Sequence, residues 1–246
     1  MKKSLLYVLL ISALGSSIAA NAYFLFRHFS ALRPQPTFHQ QTILSFDTVF
    51  FSEECKRFSQ LPNPDCRLLF IGDSIPNSLV SNLESKRNEG DLEEPWISLF
   101  NAGIRNRCIA GCTTVGIDQL LDHLTLPQAD EIILWLGAND MAMARNVPEI
   151  ERNYREIMIK LRRAEPKARI RIVSVLPVCA GHQDNDPIGA LNLRLIAIAK
   201  DASAEFIDVR PAVVDAAGNR DPASTGDGIH PNGPALTRIE MILARR

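Results

Sequence analysis

Five short apolar runs, "RLLFIG" (67–72), "WISLFNAG" (96–103), "EIILWLG" (131–137), "RIRIVSVLP" (169–177) and "EFIDV" (205–209), divide the second two-thirds of the chain at regular intervals. Each is rich in β-branched or aromatic residues and ends at a turn residue, the pattern of a buried strand. Between them lie segments with helical periodicity: "GIDQLLDHL" (116–124), "VPEIERNYREIMIKLRRAEP" (147–166), "PIGALNLRLIAIAKDA" (187–202) and "GPALTRIEMILARR" (233–246). Strands that alternate with helices imply crossover connections and a parallel sheet covered on both faces. The expected fold class is therefore α/β, a flavodoxin-like three-layer α/β/α sandwich with a five-stranded parallel sheet, as one domain over residues 42–246.

The residues before that domain read differently. "MKKSLLYVLLISALGSSIAANAYFLF" (1–26) begins with two lysines and continues apolar into the small-residue triplet Ala20-Asn21-Ala22. That is the grammar of an export signal, and the segment is also long enough to cross a bilayer as an uncleaved anchor. Residues 27–41, polar and with two prolines, read as a linker. The expected location is extracytoplasmic, membrane-anchored by the N-terminal helix or secreted.

Twenty-seven basic residues balance 28 acidic ones, so nothing marks a polyanion-binding surface, and nucleic acid is not an expected partner. Five cysteines suit an oxidising compartment. Cys55 with Cys66 and Cys108 with Cys112 are candidate pairs, Cys179 is the odd one, and a set of buried reduced thiols is the alternative. No cofactor is expected. The cysteine spacings form no zinc pattern, and His182, Asp184 and Asp186 in "CAGHQDNDP" read as a solvated loop before a metal site.

In an open parallel sheet the ligand site lies beyond the carboxyl ends of the strands, so the residues placed there carry the functional argument. The first strand ends in Gly72-Asp73-Ser74. A loop with "NRCIAGCTT" (106–114) follows the second, Gly137-Ala138-Asn139-Asp140 the third, and "GDGIHPNG" (226–233) the fifth. A hydroxyl, a glycine turn, an amide and an Asp-x-x-His are the parts acyl transfer needs: nucleophile, oxyanion donors, base and a group to orient the base. Ser74 is the candidate nucleophile, His230 the base and Asp227 the residue that fixes its tautomer. The backbone N–H groups of Ser74 and Gly111, with the side-chain amide of Asn139, are the candidate oxyanion hole. Taken singly, Ser74 fits an ordinary helix cap and Asn139 an Asx turn; the four blocks in order favour the catalytic reading.

In that order and context the blocks resemble the SGNH or GDSL hydrolase family, over residues 66 to 246. The resemblance implies a metal-free serine ester hydrolase with a Ser74-His230-Asp227 triad, acting on a small-molecule, glycan or lipid ester. Two rivals are an O-acyltransferase acting on an exported polysaccharide and a non-catalytic binding module on the same fold. The chain departs from the family in carrying Cys108 and Cys112 beside the oxyanion glycine and Ile75-Pro76-Asn77 after the nucleophile. An α/β-hydrolase is disfavoured because its Gly-x-Ser-x-Gly turn would meet proline at position 76.

Overall fold

The strand Cys66–Gly72 (β1) and the strand Ala129–Trp135 (β3) are buried almost throughout, which requires a protein layer on each of their faces. The computed structural model, which describes Phe58, Gln60 and residues 63–245, supplies both layers. With Ile104–Cys108 (β2), Arg169–Val173 (β4) and Glu205–Ile207 (β5), these strands form one all-parallel sheet in the order β2-β1-β3-β4-β5. The sheet and its two helical layers form the α/β sandwich expected from the strand–helix alternation. The edge strands β2 and β5 are only partly covered.

Alternate side chains of the central strands serve opposite layers. Leu69 and Ile71 of β1 and Ile132 and Leu134 of β3 point to one side. There they meet Thr114–His123 (α3), Val147–Ala164 (α5) and Asp186–Asp201 (α6), whose buried residues recur at helical spacing, as in Ile150, Tyr154, Ile157 and Leu161. Leu68, Phe70, Ile133 and Trp135 point to the other side. That layer consists of Ser74–Glu89 (α1), Trp96–Ala102 (α2) and the closing helix Gly233–Leu243, which is α7 once the short Ala138–Ala142 (α4) is counted.

One apolar run departs from the expected strand pattern. "WISLFNAG" is not the second strand: residues Trp96–Ala102 form α2, with Trp96 and Leu99, three apart, buried and Ile97 40% exposed. The second strand is the next five residues, "IRNRC", polar enough to hide from an apolar-run criterion because β2 lies at the sheet edge.

The candidate disulfides need revision as well. Cys108 is a free thiol and is not bridged to Cys112; Cys66 is likewise free and buried, and Cys179 is a free thiol at partial exposure. Cys55, the expected N-terminal signal or anchor (1–26), the expected linker (27–41) and residues 42–57 lie outside the described residues. Among the described residues no helix is long and apolar enough to cross a membrane.

The sheet order decides where a site can form. Chain connections leave β1 in opposite directions, so the switch in strand order falls between β1 and β3. Register brings the strand ends level there: Gly72 of β1 pairs with Cys108 of β2 and with Trp135 of β3.

Candidate active site

Ser74 owes its place to its two predecessors. At Gly72 the chain passes so close to the carbonyl of Trp135 and to the ring of Pro76 that a Cβ would collide with both. Asp73 then caps α1: it is extended, 1% exposed, and its carboxylate accepts from the Ile75 N–H at 3.0 Å. Ser74 is the first residue of the helix, with Pro76 in the first turn where a missing N–H costs nothing. Burial pushes the Asp73 carboxyl up to about 7, with the nearby Asp140 adding to the rise and the Ile75 N–H opposing it.

The loop after β2 is fastened to this turn. Ile109 N–H donates to the Gly72 carbonyl at 2.9 Å. Asn106 donates to Asn77 of α1 at 2.8 Å and accepts from the Cys108 N–H at 2.9 Å, so it ties the second strand to α1. Gly111 stands at φ 79°, a left-handed conformation that suits glycine. Thr113 caps α3 by accepting from the Gly116 N–H. Cys108 is buried, and burial, with the charges of Asp73 and Cys112, raises its thiol pKa well above the usual range. It is a packing residue.

The turn after β3 reaches toward the same loop. Gly137 adopts φ 115°, and a side chain there would press on Val175 and Leu191. Asn139, buried, donates one amide hydrogen to the Cys112 carbonyl at 2.9 Å, next in the chain to Gly111. Asp140 is fully buried and accepts from both the N–H and the hydroxyl of Thr114, at 2.9 and 2.7 Å. Burial drives its carboxyl upward against these bonds. Tyr154 closes the underside of this turn, its hydroxyl donating to the Leu136 carbonyl at 2.7 Å and accepting from the Leu136 N–H at 3.1 Å.

The fourth block is a loop between β5 and α7 that carries its own geometry. Gly228 at φ 82° turns the chain so that Asp227 Oδ1 accepts from the N–H groups of Ile229 and His230, at 2.9 and 2.8 Å. Asp227 Oδ2 lies 2.7 Å from His230 Nδ1. A carboxylate only accepts, so Nδ1 carries the proton and Nε2 is left with a lone pair. Nε2 lies 2.9 Å from Ser74 Oγ. Partial burial would raise the Asp227 carboxyl, but the bonds from the His230 ring and the two backbone N–H groups outweigh it and hold the group well below the usual carboxylate range.

The sequence-predicted residues therefore divide into two sets. Ser74, His230 and Asp227 form one continuous hydrogen-bonded chain, although Ser74 and His230 stand 156 residues apart in sequence. Gly111 and Asn139 are brought to the same end of the sheet and joined through Cys112, without a bond to Ser74. Helix pairing holds the two halves in register: Glu240 of α7 accepts from Asn82 and Lys86 of α1, both at 2.6 Å. Nothing in the local sequence pattern of Thr114, Asn77 or Tyr154 marks the partners they find.

Residues 70–235 match the GDSL-like Lipase/Acylhydrolase family. No curated protein matches the chain. Among solved structures, a Streptococcus pneumonia protein provisionally named as a platelet activating factor is 25% identical, with a TM-score of 0.59 over 91% of this chain and 97% of its own. A GDSL-like lipase from Bacteroides thetaiotaomicron is 21% identical, with a TM-score of 0.62 over 80% of this chain and 96% of its own. An acetylxylan esterase from Geobacillus stearothermophilus is 19% identical, with a TM-score of 0.52 over 75% and 93%. The last two likenesses speak for the fold, and the family match spans more than half of the sequence, so the chain belongs to the GDSL-like lipase/acylhydrolase family.

Proposed function

We propose that the protein hydrolyses carboxylic esters through an acyl-enzyme on Ser74. The observation that carries this reading is the unbroken chain from Ser74 Oγ through the His230 ring to Asp227, with contacts of 2.9 and 2.7 Å. As Oγ attacks the ester carbonyl its proton passes to His230 Nε2, and Asp227 stabilises the imidazolium that forms. Collapse of the tetrahedral intermediate expels the alcohol, which takes that proton from Nε2. Water then repeats the sequence on the acyl-enzyme, releasing the acid and regenerating Ser74.

The N–H of Ser74, at the start of α1, the N–H of Gly111 and the uncommitted amide hydrogen of Asn139 are the donors proposed for the oxyanion. Donors fixed before the reaction begins cost no reorganisation when charge develops, and each is worth about two to three orders of magnitude in kcat in comparable sites. The bond from Asn139 to the Cys112 carbonyl supports this assignment because it holds that amide in place and sets the loop bearing Gly111.

The proposed substrates are small-molecule, glycan or lipid esters, outside the cytoplasm if residues 1–26 act as their sequence reads. The test is turnover of p-nitrophenyl esters of graded acyl length and of acetylated glycans by the full-length protein and Ser74→Ala. Hydrolysis by the former alone is the expected result; full activity in Ser74→Ala refutes the assignment.

A further inference from the structure

Between β5 and the His230 loop the chain makes a small antiparallel turn, bridged from Val214 to Arg220. Asp215 closes it by accepting from the N–H groups of Ala217 and Asn219. Arg220, at its far end, turns into the protein and is 3% exposed. Its Nη1 donates to the carbonyl of Pro177, beyond β4, at 3.4 Å, and its Nη2 to the carbonyl of Ile229 at 3.3 Å. Its Nε is buried without a hydrogen-bond partner.

A guanidinium this deeply buried ordinarily answers a carboxylate, as Arg171 of β4 answers Glu131 of β3 at 2.8 Å. Arg220 makes no such ion pair among the described residues. The acids nearest to it are committed elsewhere: Asp221 accepts from the Ala223 N–H at 2.9 Å, and Asp227 serves His230. Removing an unpaired cation from water costs several kcal/mol, a cost that a leucine or methionine of similar volume would avoid. What the position obtains in return is a grip on two carbonyls, one of which belongs to a peptide plane of the site.

That plane belongs to Ile229, the residue before His230. The preceding carbonyl, of Gly228, is held as well: it accepts from the Cys179 N–H of the β4–α6 loop at 2.9 Å. The ring of His182, from the same loop, lies against Gly228 where a Cβ would have to stand. The histidine-bearing loop is thus clamped by backbone and imidazole on one side and by Arg220 on the other.

We propose that Arg220 is a positioning residue for ester hydrolysis: by fixing the Ile229 carbonyl it sets the peptide that delivers the His230 ring to Ser74. It touches no reacting atom and acts through His230, so the inference rests on the reading of Ser74 and His230 given above. A lysine at this position keeps the charge but cannot fork between the Pro177 and Ile229 carbonyls.

The experiment compares wild type, Ser74→Ala, Arg220→Lys and Arg220→Gln as full chains, with Arg171→Met as a control for losing a buried guanidinium elsewhere. For each, kcat and KM on p-nitrophenyl acetate are measured with the rate and final stoichiometry of fluorophosphonate labelling and a thermal melt. Per labelled site, Arg220→Lys is expected to lose about tenfold to a hundredfold in kcat and in labelling rate, with KM changed by less than about twofold. Arg220→Gln falls at least as far, and Arg171→Met melts earlier with kcat per labelled site unchanged. Full kcat per labelled site in Arg220→Lys overturns the proposal, and that variant decides if Arg220→Gln does not fold. An inactive wild type or an active Ser74→Ala refutes instead the reading on which it rests.

Discussion

Asp73, the acid next to the proposed nucleophile, gives the protein a pH dependence of stability whose size can be worked out. Its carboxyl is 1% exposed and titrates at about 7, against 3.8 for an unburied aspartate. Below pH 3.8 the folded and unfolded states both hold the proton, and the group imposes no penalty. Between 3.8 and 7 the unfolded state releases its proton while the folded state retains it, so stability falls as pH rises and the full loss is reached above 7. A shift of roughly three units at 1.36 kcal/mol each makes that loss about 4 kcal/mol, an upper figure since the charge of Asp140 contributes part of it. Asp73→Asn removes the titration and keeps the cap, because an amide oxygen accepts from the Ile75 N–H as the carboxylate does. Urea unfolding from pH 4.5 to 8 should show wild-type stability declining relative to Asp73→Asn by up to about 3 kcal/mol over that window, since about 1 kcal/mol of the loss has already occurred by pH 4.5. Asp227 does not interfere: its lowered pKa costs stability only as pH falls below the ordinary aspartate value. Parallel profiles for the two proteins would refute the argument, and so would a mutant that loses stability at every pH.

Gly72→Ala should destabilise the fold by at least about 1–3 kcal/mol, read as a lower urea midpoint, because backbone of β3 occupies the space the methyl group needs. Tyr154→Phe leaves both the N–H and the carbonyl of Leu136 buried without their partner and should cost about 1–3 kcal/mol in the same assay, with little effect on KM. Asp227→Asn offers His230 Nδ1 an amide that can impose the wrong tautomer; kcat should fall by about 10³–10⁴, measured on a p-nitrophenyl ester, with the melting temperature little changed.

The central strands and long helices were legible because burial on two faces leaves an unbroken apolar run, and burial on one leaves a 3.6-residue period. β2 was not, since an edge strand of the sequence "IRNRC" satisfies its backbone through β1 while its side chains reach solvent and loop partners. The apolar run beside it, Trp96–Ala102, is too short for its period to separate a strand from two turns of helix. In the site, Ser74, Asp227 and His230 could be found because each stands in a local pattern at a strand end. Asp140 with Thr114, Asn106 with Asn77 and Arg220 with Ile229 could not, since their partners are fixed only by tertiary packing. The cysteines illustrate the same limit: four-residue spacing made Cys108 and Cys112 a candidate bridge, yet Cys108 ends a strand and is buried as a free thiol.

The central claim is that Ser74 becomes covalently acylated, and trapping it tests that claim most directly. Full-length protein treated with a fluorophosphonate, then analysed by intact mass and peptide mapping, should gain one adduct, on Ser74, and lose ester turnover in proportion to labelling. An unlabelled protein that still hydrolyses esters, or an adduct on another residue that accounts for the lost activity, would contradict it.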